Sequence, residues 1–350
     1  MEDHTAEEAS SVGQRVGDKR KAEQQAEQED HASQEDHDVA HRPHAFEVQQ
    51  PRDCRLKLSE FKKGNTVPNA QGVHKIICYC KHSNYPKRRF CWLEARSPRS
   101  AKILEDEAKI MSTIEHDQIL PVIACGPCGP FGETYVMITE LMECDLIDMA
   151  KKMSQNGTFT GLTVKGWVGQ ILLALIHLHS LLLVHQDVKA DNLLIDPAGN
   201  VKLADFGVCV RLPPSKILPR LLEDNTRGTV GYMAPEMIRG PYDTKVDLFA
   251  LGMTIYQFCT GQPPFWGDSN ETIKQKMRRA LDEFNVHRIS TTQIPPKCDQ
   301  IPNFSCKAIM NICLSIDPKK RMAACDLYKT YFNPEGPENP EDSQPIGNLP

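Results

Sequence analysis

The segment His185-Gln-Asp-Val-Lys-Ala-Asp-Asn192 limits the possible folds of this chain more than any other. It follows a long apolar run, Ile171 to Val184, and sets a carboxylate, a lysine and an amide (Asp187, Lys189, Asn192) on one tight loop. Leu194–Asp196 and Val201–Leu203 then flank Pro-Ala-Gly-Asn, the turn chemistry of a short hairpin. Such a hairpin returns the chain so that a second carboxylate, Asp205 in Asp-Phe-Gly207, faces the first loop. Hard oxygen donors converging from two loops suit Mg²⁺ carrying a polyphosphate, since this ion takes one or two carboxylates and fills its shell with water and phosphate oxygens.

The 350 residues are 40% hydrophobic and 25% charged, the balance of an ordinary globular protein, and the length points to about two domains. Charge is uneven. Residues 1–50 hold 13 Asp and Glu against 5 Lys and Arg, while the remaining residues hold 33 against 36. The folded part is thus close to neutral, without the basic stripe of a nucleic-acid binder. The apolar run before the loop is broken by His177, His179 and Ser180, so no membrane span is expected, and residues 1–30 are too charged for a secretory leader. Thirteen scattered cysteines suit a reducing compartment, and an intracellular protein, cytoplasmic or nuclear, is expected.

Residues 1–50 read as a disordered acidic tail, open to a partner, and residues 334–350, dense in Pro, Glu, Asn and Gly, as a second tail. Lys19-Arg20-Lys21 is either a nuclear signal or a solvated charge cluster. Between the tails the character changes once. Residues 55–139 combine strand-like runs (Val73–Tyr79, Phe90–Leu93, Thr134–Thr139) with one helical stretch, Ser100–Glu115. Residues 140–333 are mainly helical in pattern, over Leu162–Leu182, Lys245–Thr260, Asn270–Phe284 and Phe304–Leu314. The plan is a sheet-rich lobe followed by a larger helical one.

In this setting the catalytic-loop segment resembles that of eukaryotic-type serine/threonine protein kinases, where it reads H-R-D-L-K-x-x-N. Further motifs fall in order: Gly228-Thr-Val-Gly-Tyr-Met-Ala-Pro-Glu236, Asp247-Leu-Phe-Ala-Leu-Gly252, and Arg321 after Asp317-Pro-Lys-Lys. The resemblance implies an α+β, bilobal kinase fold: a small antiparallel-sheet N-lobe with one helix over residues 55–139, and a larger helical C-lobe over residues 140–333. It implies transfer of the γ-phosphoryl group of ATP to Ser or Thr of protein substrates, with Mg²⁺ as cofactor. Asp187 would accept or orient the acceptor proton, Lys189 would neutralise the moving phosphoryl group, and Thr229 would bond both. Asn192 and Asp205 would hold metal. Thr139 falls at the position guarding the back pocket, Glu140 and Met142 would offer hinge backbone groups to adenine, and Leu194 joins them in the nucleotide site. Arg321 would pair with Glu236, and Asp247 would anchor the catalytic loop.

The small lobe departs from the family pattern. The phosphate-covering loop has only Gly64 and Gly72, with Pro68 between. The strand expected to read V-A-x-K reads Phe90-Cys-Trp-Leu-Glu-Ala95, with two possible registers. Cys91 over adenine puts Leu93 at the lysine position; Trp92 over adenine puts Glu94 there. Cys is the closer in size to Ala, but neither register supplies a lysine. Glu107 resembles the helix residue that normally pairs with that lysine, and Lys75 is the candidate replacement, its alternative being a solvent-facing side chain. Without a substitute the chain would be either an enzyme of reduced activity or a pseudokinase acting as a binding or regulatory module. Gln186 replaces the loop arginine that clamps a phosphate, so activity is expected not to depend on phosphorylating Thr226 or Ser215. Cys125-Gly-Pro-Cys128 reads as a turn between two strands in preference to a dithiol or zinc site, and His177 and His179 as packed or surface residues.

Overall fold

A computed structural model describes residues 56–71, 74–219, 228–239, 241–263 and 305–332, with Phe265, Thr272, Gln275 and Ile346. The acidic segment 1–50 and nearly all of the helix expected over 270–284 lie outside the described residues.

The N-lobe is a five-stranded antiparallel sheet of β1 (Phe61–Gln71), β2 (Lys75–His82), β3 (Phe90–Ala95), β4 (Val122–Cys128) and β5 (Thr134–Glu140), in the order β1-β2-β3-β5-β4. Alternation sorts its side chains onto two faces. Phe61, Cys78, Cys80, Phe90, Trp92 and Ile138 form an outer cluster with Leu56 and Leu58 against it. Cys91, Leu93 and Ala95 face the other way, into the core that holds Leu104, Ala108 and Met111 of α1 (Pro98–Ser112). Ser97 caps that helix, accepting from the Ser100 amide at 3.2 Å, and Pro98 starts it with a pre-set φ.

Two expectations are corrected in this lobe. Gly64 lies inside β1, not in a phosphate loop, because β1 pairs with β2 from Phe61↔His82 to Gln71↔Ile76, and Gly64 falls between the pairs Lys63↔Cys80 and Thr66↔Cys78. A Cβ at Gly64 would come within 3.2 Å of the Tyr79 carbonyl. Cys125-Gly-Pro-Cys128 is likewise not a turn: it is the body of β4, paired from Cys125↔Met137 to Cys128↔Thr134, and the chain reverses after it. Pro127 is tolerated there because β4 is an edge strand.

The C-lobe comprises β6 (Cys144–Asp145), α2 (Leu146–Gln155), α3 (Gly161–Ser180), β7 (Leu183–Val184), β8 (Leu193–Ile195), β9 (Val201–Leu203), β10 (Val210–Arg211), α4 (Pro235–Arg239), α5 (Lys245–Thr260), α6 (Ser305–Cys313) and α7 (Ala324–Tyr331). α3 and α5 are apolar on nearly all sides because both run through the core. α3 is long and apolar enough to cross a membrane, yet more than half of it is buried within the lobe. Gly252 lets α5 approach the end of α6, since a Cβ there would meet Cys313 and Leu314 at 2.9 Å. The hairpin expected around Pro-Ala-Gly-Asn is β8–β9, paired from Leu193↔Leu203 to Ile195↔Val201. Within the segment read as a C-terminal tail, Ile346 is buried, its amide donating to the Phe159 carbonyl at 2.7 Å.

Candidate active site

The loop from His185 to Asn192 is held from beneath by Asp247, a carboxylate on α5 with no exposure to solvent. Its Oδ2 accepts from the His185 amide at 3.0 Å and its Oδ1 from the Gln186 amide at 2.8 Å. His179, expected only to pack or face solvent, places Nε2 2.9 Å from Asp247 Oδ2 and so belongs to this anchor. Its spacing from His185 carries no motif, and only the packing of α3 on α5 brings it there.

Asp187 is buried and bonded through both oxygens. Oδ1 accepts from the Thr229 amide at 2.7 Å, and Oδ2 accepts from Asn192 Nδ2 at 2.8 Å with Lys189 Nζ at 3.1 Å. Lys189 also donates to Thr229 Oγ1 at 2.5 Å. Asp187, Lys189, Asn192 and Thr229, distant in sequence, thus form one cluster. The loop is stitched to the segment bearing the second carboxylate, just after β9, for the Ala204 amide donates to the Asn192 carbonyl at 2.9 Å. His185 Nε2 lies 3.1 Å from the Ala204 carbonyl, and its ring meets Phe206 edge-on. Asp205 follows with φ +61, in the left-handed region that a short polar side chain tolerates.

The register of β3 is that with Cys91 over the cleft: Trp92 lies in the outer cluster, and Glu94 bonds Lys63 at 2.5 Å and Trp92 Nε1 at 2.9 Å. Leu93 occupies the inward lysine position. The cation comes from the neighbouring strand. Lys75 opens β2, opposite Ala95, and its Nζ lies 3.1 and 3.0 Å from the two oxygens of Glu107 and 3.0 Å from Asp205 Oδ1. It does not face solvent. Glu107 Oε1 also accepts from the Phe206 amide at 3.3 Å, tying α1 to the Asp-Phe-Gly turn.

Burial works to lower the Lys75 pKa, but the carboxylates of Glu107 and Asp205 outweigh it and hold the ammonium above its ordinary value. Burial works to raise the Asp205 pKa, and Lys75, with His185 and Lys189, pulls it below the usual carboxylate range. Asp205 is therefore an anion at neutral pH.

Thr139 is buried at the end of β5 and donates to the Glu140 carbonyl at 3.2 Å. Glu140 pairs with Phe90 across the sheet, and its side chain meets Arg88 at 2.5 Å. Met142 is half-buried after it, and Leu194, half-buried on β8, lies opposite Asp145 and Lys202. Gly72 lies outside the described residues. Arg321 reaches Glu236 with two parallel bonds of 2.5 and 2.6 Å, both residues buried.

The protein kinase domain family model matches residues 89–332. The chain belongs to the protein kinase family. This kinase chain is 35% identical over 166 residues to serine/threonine-protein kinase KIC1 of Saccharomyces cerevisiae, covering 47% of this chain and 14% of that protein. It is 27% identical over 284 residues to serine/threonine-protein kinase PAK 5 of Rattus norvegicus, covering 80% of this chain and 36% of that one. Over 292 residues it is 28% identical to serine/threonine-protein kinase PAK 4 of Homo sapiens, covering 81% and 44%. The chain thus spans less than half the length of these relatives. The kinase family uses ATP and a divalent metal, and the donors here fit such an ion. Asp205 is anionic, and Asn192 engages its amide nitrogen with Asp187, leaving the amide oxygen as its donor to a cation.

Proposed function

We propose that the chain is an active kinase that transfers the γ-phosphoryl group of ATP to serine or threonine hydroxyls of proteins, with Mg²⁺ as the metal. The observation that carries this reading is the convergence of Lys75 on Glu107 and Asp205. The alternative, a pseudokinase serving as a binding module, was motivated by the lack of a lysine on β3. Lys75 reaching the same carboxylates from β2 supports the active reading.

In this mechanism Asp187 orients the acceptor hydroxyl and takes up its proton. Its remaining bonds to Thr229, Asn192 and Lys189 fix the carboxylate before substrate arrives, so little reorganisation is left for the reaction. Lys189 stands beside it as the cation for the transferring group. Lys75 would face the phosphate oxygens while Glu107 holds it in place. Asn192 and Asp205 would hold Mg²⁺, which neutralises phosphate charge when bound. A lysine in the catalytic loop at position 189 supports serine or threonine as acceptor, as do the relatives' names. The buried thiols of Cys78, Cys80, Cys91 and Cys209 are free, which supports an intracellular location. The acidic segment 1–50 is proposed as a recruiting tail for a protein partner.

The test is transfer of radiolabelled phosphate from Mg·ATP to a mixed protein substrate by the wild type and by Asp187→Asn. Transfer that the substitution abolishes, recovered as phosphoserine or phosphothreonine, is expected. Wild-type transfer no greater than that of the variant would overturn the assignment.

A further inference from the structure

Gln186 is the point at which three parts of the C-lobe cross. It is a non-glycine residue at φ +68, a conformation that β-carbon sterics disfavour. Its amide donates to Asp247, and its carbonyl lies against Gly228, where a Cβ would come within 2.4 Å of that oxygen. Its side chain is buried, and Nε2 donates to the hydroxyl of Tyr242 at 2.7 Å. The amide oxygen Oε1 is buried without a hydrogen-bond partner among the described residues, so the tyrosine is the side chain's described anchor. Tyr242, itself buried, also pairs through its backbone with Leu218: the Leu218 amide donates to its carbonyl at 2.7 Å, and its own amide to the Leu218 carbonyl at 3.0 Å. Leu218 closes the stretch that begins at β10, and β10 pairs with β7 immediately before the catalytic loop.

We propose that Tyr242 is a positioning residue for Asp187, its hydroxyl holding the strained Gln186 and its backbone holding residues 210–218, so that a hydrogen-bond chain sets the loop without any phosphate. The inference rests on the kinase reading and deepens it. The strain at Gln186 sets the direction in which the chain enters Asp187, whose Oδ1 receives the Thr229 amide one residue beyond Gly228. Loss of the phenol oxygen would leave Nε2 buried and unpaired. The Gln186 peptide could then relax from its left-handed conformation, moving Asp187 away from Thr229.

The experiment compares wild type, Tyr242→Phe, Gln186→Met, the double variant and Asp187→Asn, well below the unfolding temperature. Tyr242→Phe is expected to lower kcat about tenfold, the usual scale of one buried hydrogen bond, with the KM for ATP within about twofold. Gln186→Met breaks the same bond from the other end and should lose as much, and the double variant no more than either. Unchanged kcat in folded Tyr242→Phe, or losses that multiply in the double variant, would overturn the proposal. Hydrogen exchange of residues 183–190 and 210–219 gives a readout independent of activity. Tyr242→Phe should speed exchange in both segments, and unaltered exchange would again overturn it. If the wild type transfers no more phosphate than Asp187→Asn, the kinase reading fails, and the exchange arm alone decides whether the tie exists.

Discussion

Replacing Lys75 with methionine tests the site most directly. The side chain is 16% exposed, and its nitrogen makes three contacts of 3.0–3.1 Å to two carboxylates. Methionine keeps most of the volume and removes the charge. Glu107, 2% exposed, is then left in the core without its cation, and burial already pushes its pKa upward. Breaking a buried ion pair by removing one partner costs about 3–5 kcal/mol, partly relieved here by protonation of Glu107. Losing a desolvated contact to phosphate costs about 2–5 kcal/mol, or roughly 30- to several-thousand-fold in rate at ~1.4 kcal/mol per decade. Residual solvent access at Lys75 favours the lower half of that span. The assay is kcat/KM for ATP at saturating protein substrate, with a melting curve to show that the variant folds. A loss of at least about 30-fold is expected. A folded variant within about threefold of wild type would refute the argument that Lys75 is the phosphate-side cation. The converse change sharpens it. Leu93 shares its face with Cys91 and Ala95, so Leu93→Lys in the Lys75→Met background should recover part of the lost rate.

Arg321→Met should lower stability by about 3–5 kcal/mol in urea unfolding, because it strands the buried Glu236 carboxylate and breaks bonds to the Ser315 and Lys245 carbonyls. His116 stacks on His177 at 4.8 Å, and burial, followed by repulsion from His177, holds its pKa below 6.5. A group lowered in this way stabilises the fold fully above 6.5, and that contribution is lost as pH falls through the ordinary value toward the folded one. Unfolding free energy should therefore slope downward below that pH, and His116→Asn should flatten the slope. Gln186 bonds a tyrosine hydroxyl and carries no charge, so phosphatase treatment, Ser215→Ala and Thr226→Ala should each leave kcat within about twofold. Gly228→Ala, at φ +82 and against the Gln186 carbonyl, should abolish transfer in the same assay while the protein remains folded.

Contiguous motifs were legible because their geometry is local. The β8–β9 hairpin follows from turn residues between short apolar runs, and the helical pattern over Lys245–Thr260 is a helix with those bounds. Misreadings arose where pairing partners lie far apart. Gly64 and Cys125-Gly-Pro-Cys128 carry turn chemistry, yet cross-strand hydrogen bonds drew both into the sheet. The register of β3 was ambiguous by one residue, and one residue exchanges the faces of a strand. Only the outer aromatic cluster around Trp92 and the inner packing of Leu93 on α1 distinguish the two.

Taken alone, the residues determined the two-lobe plan and the donors of the catalytic loop, since these depend on side-chain chemistry and spacing within short segments. Tertiary structure decided which lysine meets Glu107 and Asp205. Lys75 lies on a different strand from the usual position, and its reach to Glu107 and Asp205, respectively 32 and 130 residues away in sequence, depends on β2 pairing with β3 and α1 packing beneath the sheet. The anchors His179 and Tyr242 were decided in the same way: each is an ordinary residue until helix packing or a backbone bridge brings its polar atom against a buried partner.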